Sequence, residues 1–308
     1  MVKPRALRSG DRLAVVAPAS PFDRQRFEAG VRELRRLAFE PVYDEKVFDR
    51  QAYVAGDART RADAIRAAWL DSSIAGLVAV RGGYGSAHVL PLLSIDEARL
   101  GRKVFLGYSD LTSLHVYLTT SCTLVSFHGP MVATNFGRGA DGYDRDSFVR
   151  CLMRTEPLGE LAPSGLETLK PGEAEGMLLG GTLSQLVASL ATPFAFAPPP
   201  GYVLFIDEIG EKPYRLDRML TQLSYSGLLA RASAVVFGEL PQCDDLSDED
   251  SRARAVVADL VRDFPGPVLF GFPSGHTRGP TLTLPFGVRA RVVANSRPRL
   301  VIEEAAVE

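Results

Sequence analysis

Cysteine is scarce in this chain: Cys122, Cys151 and Cys243 are widely separated and odd in number. Such spacing supplies neither a disulfide framework nor a CxxC metal knuckle, and it fits a reducing compartment. Histidine is nearly as rare, with His88, His115, His128 and His276 far apart and no HExxH or HxxE spacing, so zinc hydrolysis lacks its ligands. The acidic run Asp244, Asp245, Asp248, Glu249 and Asp250 reads as a solvated loop ahead of a helix rather than a cation site. No stretch approaches the ~20 apolar residues of a membrane span. Residues 2–9 are basic but lead into no apolar core of signal-peptide length, so the expectation is a cytoplasmic protein without membrane contact. Lysine is also sparse, 5 against 30 arginines, and these lie scattered among 37 acids for a net charge of −2. Without a clustered positive surface, nucleic acid is excluded as an obligate partner. Neither GxGxxG nor the Gly-Lys-Ser/Thr of a phosphate loop occurs, so no nucleotide cofactor is expected, and no other cofactor or metal is called for.

What is present is enough for a large core: 308 residues, 46% of them hydrophobic, which points to two domains. The first half alternates apolar β-runs at 13–17, 41–43, 76–80, 103–107 and 123–127 with amphipathic helices. One such helix spans 22–38, where Phe27, Val31, Leu34 and Ala38 recur at helical spacing. That alternation predicts a parallel sheet covered on both faces, an α/β domain over 1–145. Residues 138–144 are glycine-rich and 158–172 carry prolines and glycines without periodicity, which places a link at 146–172. From 173 to 308 the balance shifts to strands, at 176–179, 202–206, 234–237, 267–270, 281–284, 289–293 and 299–302. Two clear helices lie around 216–225 and 250–263.

Ser109 stands where the buried strand 103–107 turns sharply into the helical run 111–120. A serine on such a turn is held out of the sheet, beside the amides of a helix start, which suits a nucleophile and its oxyanion; a simple N-cap is the ordinary alternative. A serine nucleophile needs a base and a group that orients the base. Only His276 sits in a loop crowded with turn formers, at 271–280, whereas His88 and His115 fall within predicted helices and His128 ends a strand. The buried run 202–206 delivers two carboxylates, Asp207 and Glu208, at its carboxyl end, where ligands bind in open α/β sheets. Gly82, Gly83 and Gly85 follow the strand 76–80, and a turn at positive φ accounts for some of them. Gly180, Gly181 and Thr182 form a similar turn, for which a helix start is sufficient explanation.

The stretches RGGYGS at 81–86, GYSDLT at 107–112, FHGPM at 127–131, LFIDEIGEKPYRLDRML at 204–220, and GH at 275–276 followed by TLPFG at 283–287 resemble the LD-carboxypeptidase family. These are serine peptidases that act on murein tetrapeptide. The opening GDRLAVVAP at 10–18 is similar as well, so the resemblance runs from about residue 9 to about residue 303. It implies a Rossmann-like N-terminal domain, a smaller swivelling β-rich C-terminal domain, and an active site in the cleft between them. Ser109 then matches the nucleophile, His276 the base, and the amides of Gly83 and Asp110 the oxyanion hole. The family's acid is typically a glutamate in a Leu-Glu-Asp arrangement; registered on PYRLDRML at 213–220, Asp207 takes its place and Glu208 that of the following aspartate. The two acids are swapped. Either the backbone lies closer to His276 or Glu208 serves instead, and the register favours Asp207; the unused acid caps or pairs with Arg215 or Arg218.

The expected activity is removal of the terminal D-Ala from a muropeptide in cell-wall recycling, with a homodimer as the implied assembly. Arg81, beside the glycine loop, is the candidate for the substrate's free carboxylate, unless it pairs with a surface acid. Two other readings compete. Microcin self-immunity hydrolases, which cleave aminoacyl-nucleotide analogues, use an aromatic residue on an extra loop before the acid, but Trp69 lies in an early helix and 193–202 is short. A non-catalytic muropeptide-binding module would need no intact trio at Ser109, Asp207 and His276.

Overall fold

The computed structural model describes residues 1–245 and 252–308. Two sheets organise it. The first takes β1 (Arg12–Val16), β2 (Glu40–Val42), β3 (Ile74–Ala79), β4 (Val104–Gly107) and β5 (Ser126–His128), paired in parallel in the order β2-β1-β3-β4-β5. Buried on both faces, β3 and β4 read as continuous apolar runs, as a covered parallel sheet requires. The helices α1 (Arg24–Arg36), α2 (Ala58–Leu70) and α3 (Ile95–Gly101) begin at Asp23, Asp57 and Ser94, whose side chains accept the orphan amides of Arg26, Thr60 and Glu97. After β4 the chain makes a 3-10 turn at Ser109–Leu111, then α4 (Thr112–Val116) and a π-turn at Tyr117–Ser121. The single helix expected over 111–120 is thus three short pieces.

The second sheet holds β6 (Gly159–Leu161), β7 (Glu167–Lys170), β8 (Gly172–Thr182), β9 (Tyr202–Asp207), β10 (Ala232–Gly238), β11 (Val268–Phe272), β13 (Arg289–Ala294) and β14 (Arg299–Ile302). Its order is β6-β14-β13-β8-β9-β10-β11-β7. Strand β8 joins two halves: residues 172–177 pair antiparallel with β13, and 178–182 pair parallel with β9. Helices α6 (Leu183–Ser189), α7 (Pro213–Tyr225), α8 (Leu228–Arg231) and α9 (Ala253–Leu260) accompany it, α6 and α8 being additional to the two clear ones read from sequence. Of the acidic run, Asp248, Glu249 and Asp250 lie outside the described residues.

The expected boundary at 146–172 is crossed in two places. Helix α5 (Arg145–Met153) packs on the first unit, where Phe148 meets Phe39, Phe136 and Tyr143 edge-on. Strand β12 (Leu284–Phe286) returns from the second unit and pairs antiparallel with β5, closing the first sheet. The segment expected to link the units instead supplies β6 and β7, edge strands whose polar outer residues hid their pairing. The chain that follows β11 therefore leaves one sheet and enters the other, and the segment between them spans the cleft.

Candidate active site

Strand β4 ends at Gly107, and Ser109 lies at φ +67, a left-handed conformation uncommon for a side chain larger than glycine. Backbone strain of this kind is held in place by its surroundings. Gly82 packs against the turn: a Cβ there would stand 2.7 Å from Ser109 Cβ and 2.9 Å from its Oγ, so only a bare backbone fits. Asp110 is buried; its carboxylate accepts the amide of Ser86 at 2.8 Å, and its carbonyl accepts the Ser86 hydroxyl at 2.6 Å. The two loops that carry the candidate oxyanion amides are thereby tied together. Gly83, at φ +106, turns outward, and its amide donates to no backbone acceptor among the described residues.

His276 sits on the chain crossing from β11 to β12. Its Nε2 lies 3.1 Å from Ser109 Oγ and its Nδ1 lies 2.7 Å from Asp207 Oδ2. The backbone N–H of His276 also donates to Oδ2, at 3.0 Å. Asp207 ends β9, fully buried, and its other oxygen accepts the Thr182 hydroxyl at 2.7 Å, with His128 Nε2 at 3.8 Å. Burial alone would raise the Asp207 pKa, but the imidazoles of His276 and His128 hold it well below the usual carboxylate range. Burial likewise works against the charged form of His276, yet the Asp207 carboxylate wins and its pKa lies above the ordinary histidine value. With Nδ1 facing the carboxylate, Nε2 is free to accept a proton from the serine.

Glu208 points elsewhere. Its oxygens accept the amides of Ser184 at 2.8 Å and Ile209 at 3.0 Å, and burial raises its pKa. It ties the start of α6 to the end of β9 and makes no bond to His276; Arg215 pairs with Glu211 instead. His115 is buried between Ser126 and Gly107, its pKa lowered to about 3 chiefly by burial, and His88 is an exposed neighbour of Tyr84. His128 reaches Ser274 Oγ at 3.1 Å and so joins the acid's surroundings without reaching the serine. Trp69 is buried in α2.

Sequence reasoning missed Thr182 and Gly275. Thr182 was explained as a helix start, but its side chain does not cap α6; it donates to Asp207, while its backbone N–H donates to Thr112 Oγ1 at 2.9 Å across the two units. Gly275, at φ +81, leaves no room for a Cβ beside Asp207 Oδ2 and His128. No local pattern in the chain announces either contact. A cavity of about 400 Å³ is lined by Arg81, Gly82, Gly83, Ser109, Thr182 and His276, among others.

A hydroxyl, an imidazole and a buried carboxylate in hydrogen-bonded succession, beside spare amides, can form and break an acyl-serine bond. Such a site in a two-unit α/β fold defines a serine-type hydrolase. The family model for the LD-carboxypeptidase N-terminal domain matches residues 13–129 and that for its C-terminal domain matches 175–292. A putative carboxypeptidase of Streptomyces coelicolor is 38% identical, over 96% of this chain and 94% of that protein. A probable murein peptide carboxypeptidase of Bacillus subtilis is 32% identical, over 99% and 95%. This chain belongs to the LD-carboxypeptidase family of serine peptidases. The solved muramoyltetrapeptide carboxypeptidase of Oxalobacter formigenes superposes with a TM-score of 0.85 at 28% identity, covering 96% of this chain and all of that one. A microcin C7 self-immunity protein superposes with a TM-score of 0.92 over the whole of both chains; at 22% identity this likeness is one of fold. No helix among the described residues is long and apolar enough to cross a membrane.

Proposed function

We propose that this chain releases the terminal D-Ala of murein tetrapeptide by cutting the L,D bond, with Ser109 as nucleophile, His276 as general base and Asp207 as the acid that orients it. The observation that carries this reading is the unbroken succession Ser109 Oγ, His276 Nε2, His276 Nδ1 and Asp207 Oδ2, with steps of 3.1 Å and 2.7 Å. His276 takes the serine proton as Oγ attacks the carbonyl carbon. The amides of Gly83 and Asp110 receive the negative charge on the carbonyl oxygen, where preorganised donors lower the barrier most. His276 then gives its proton to the leaving amine of D-Ala, and water admitted to the cavity hydrolyses the acyl-enzyme by the same steps in reverse. Asp207 stabilises the imidazolium without itself taking the proton. The murein substrate is supported by the relatives from Bacillus subtilis and Oxalobacter formigenes, whose names carry that substrate.

The test is release of D-Ala from free tetrapeptide, run beside pentapeptide ending in D-Ala-D-Ala and beside aspartyl sulfamoyl adenosine, the ligand of a solved self-immunity protein. Turnover of tetrapeptide alone is expected. Comparable release from pentapeptide would remove the L,D assignment, and turnover of the nucleoside conjugate alone would move the substrate to that class.

A further inference from the structure

We infer that Arg81 is the anchor for the substrate's terminal carboxylate, and therefore the residue that makes this site an exopeptidase. The inference rests on the carboxypeptidase reading above and adds to it the group that recognises the chain end.

In a C-terminal residue the carboxylate carbon is three bonds from the scissile carbonyl carbon, so the two lie at most ~4 Å apart. Any cation that holds that carboxylate must line the same cavity as Ser109. Among the described residues lining the cavity, Arg81 is the one arginine and there is no lysine. Arg81 lies two residues past the end of β3 and precedes Gly82 and Gly83, so its backbone is held by the packing of Gly82 on Ser109.

Its guanidinium is held but unspent. Nη1 donates to the Pro21 carbonyl at 3.2 Å, which sets the plane of the group. Nε is buried and has no partner, and no carboxylate forms an ion pair with Arg81 among the described residues. The buried Nε is closed to the cavity, but Nη2 makes no hydrogen bond among the described residues, and the paired Nη donors of a guanidinium suit a carboxylate. Elsewhere arginines find acceptors for their donors: Arg66 pairs with Glu97, Arg291 with Glu173 and Glu303, and the buried Arg61 donates to the carbonyls of Pro18, Gly56 and Gly85. Of the two carboxylates in the cavity lining, Glu208 is held by two amides and Asp110 by the amide of Ser86, and neither forms an ion pair with Arg81.

The experiment compares tetrapeptide ending in free D-Ala with the same peptide ending in D-alaninamide. The wild-type protein is expected to prefer the acid by on the order of 30-fold in kcat/KM, the worth of a charge-assisted hydrogen-bonded pair. In Arg81→Gln the ratio falls to about 1, with Arg81→Lys between the two, on the same scale. A ratio that stays at its wild-type value in Arg81→Gln overturns the proposal, whatever happens to the absolute rates. A second measurement is independent of murein: protection of Ser109 from a fluorophosphonate by N-acetyl-D-alanine, with N-acetyl-D-alaninamide as control. Protection by the acid alone, lost in Arg81→Gln, supports the anchor even if tetrapeptide is not turned over, in which case it is the murein reading that falls. Equal protection by acid and amide overturns the anchor and leaves the murein reading standing.

Discussion

His276 meets Asp207 twice: the ring Nδ1 lies 2.7 Å from Oδ2, and the backbone N–H of the same residue donates to that oxygen at 3.0 Å. A backbone within hydrogen-bond reach of the carboxylate means that the loop at 273–280 lies close to the end of β9. The short aspartate side chain meets the imidazole because the loop comes this close. Gly275 permits it, since a side chain at φ +81 would be strained and its Cβ would collide with Oδ2. The same proximity lets one oxygen orient both the ring and the chain that carries it, leaving the second oxygen to Thr182.

Asp207→Asn should cost on the order of 10³ to 10⁴ in kcat, because the amide favours the wrong imidazole tautomer and cannot stabilise imidazolium. Glu208→Gln should cost far less, its partners being the amides of Ser184 and Ile209. Tetrapeptide turnover, on variants whose thermal unfolding matches the wild type, decides between the two acids. A severe loss at Glu208→Gln with a mild one at Asp207→Asn would reverse their roles.

The pH dependence follows from His276. Its protonated form cannot accept the serine proton, and its pKa is raised above the ordinary value near 6.5 by the Asp207 carboxylate against the opposing effect of burial. Activity should therefore climb with pH through a midpoint above about 6.5, and the loss on the acid side should set in earlier than for a solvent-exposed histidine. Removing the carboxylate removes the cause of the rise, so the residual activity of Asp207→Asn should have its midpoint shifted toward acid. A profile of kcat/KM for both proteins checks the sign; a midpoint shifted toward alkali in the variant would contradict it.

Thr182→Val keeps the shape of the side chain but removes the hydroxyl donor from Asp207 Oδ1, with His128 Nε2 3.8 Å away. Loss of a hydrogen bond to a buried charge is expected to lower kcat by about tenfold, and KM should change little because Thr182 acts through the acid. Thr182→Ser restores the hydroxyl and should recover most of the rate. If serine fails to rescue, or if KM alone rises, Thr182 shapes the cavity rather than holding the acid.

Apolar periodicity determined the parallel sheet of the first unit, because strands buried on both faces must be apolar throughout and their helices amphipathic; the observed bounds of β1 to β5 lie within a few residues of the expected ones. Motif order determined the family, and turn chemistry drew attention to Ser109 and His276, since a nucleophile on a strand-to-helix turn and a base on a turn-rich loop are local features. Edge strands β6 and β7 were not legible, as Leu161 alone of their seven residues is buried and they look like loop. The return of β12 to the first sheet was equally hidden, because nothing in LPF at 284–286 says which of two sheets it will join. Asp207 and Glu208 are neighbours with the same charge, and the register on 213–220 favours Asp207 without showing what holds it. The choice between them was made by where the 273–280 loop comes to rest, by a glycine without a Cβ at Gly275, and by a threonine from β8 that reaches the far oxygen. These are contacts across tens of residues of chain, set by the register of β8 on β9 and by the path of the chain between β11 and β12, and only the tertiary structure decides them.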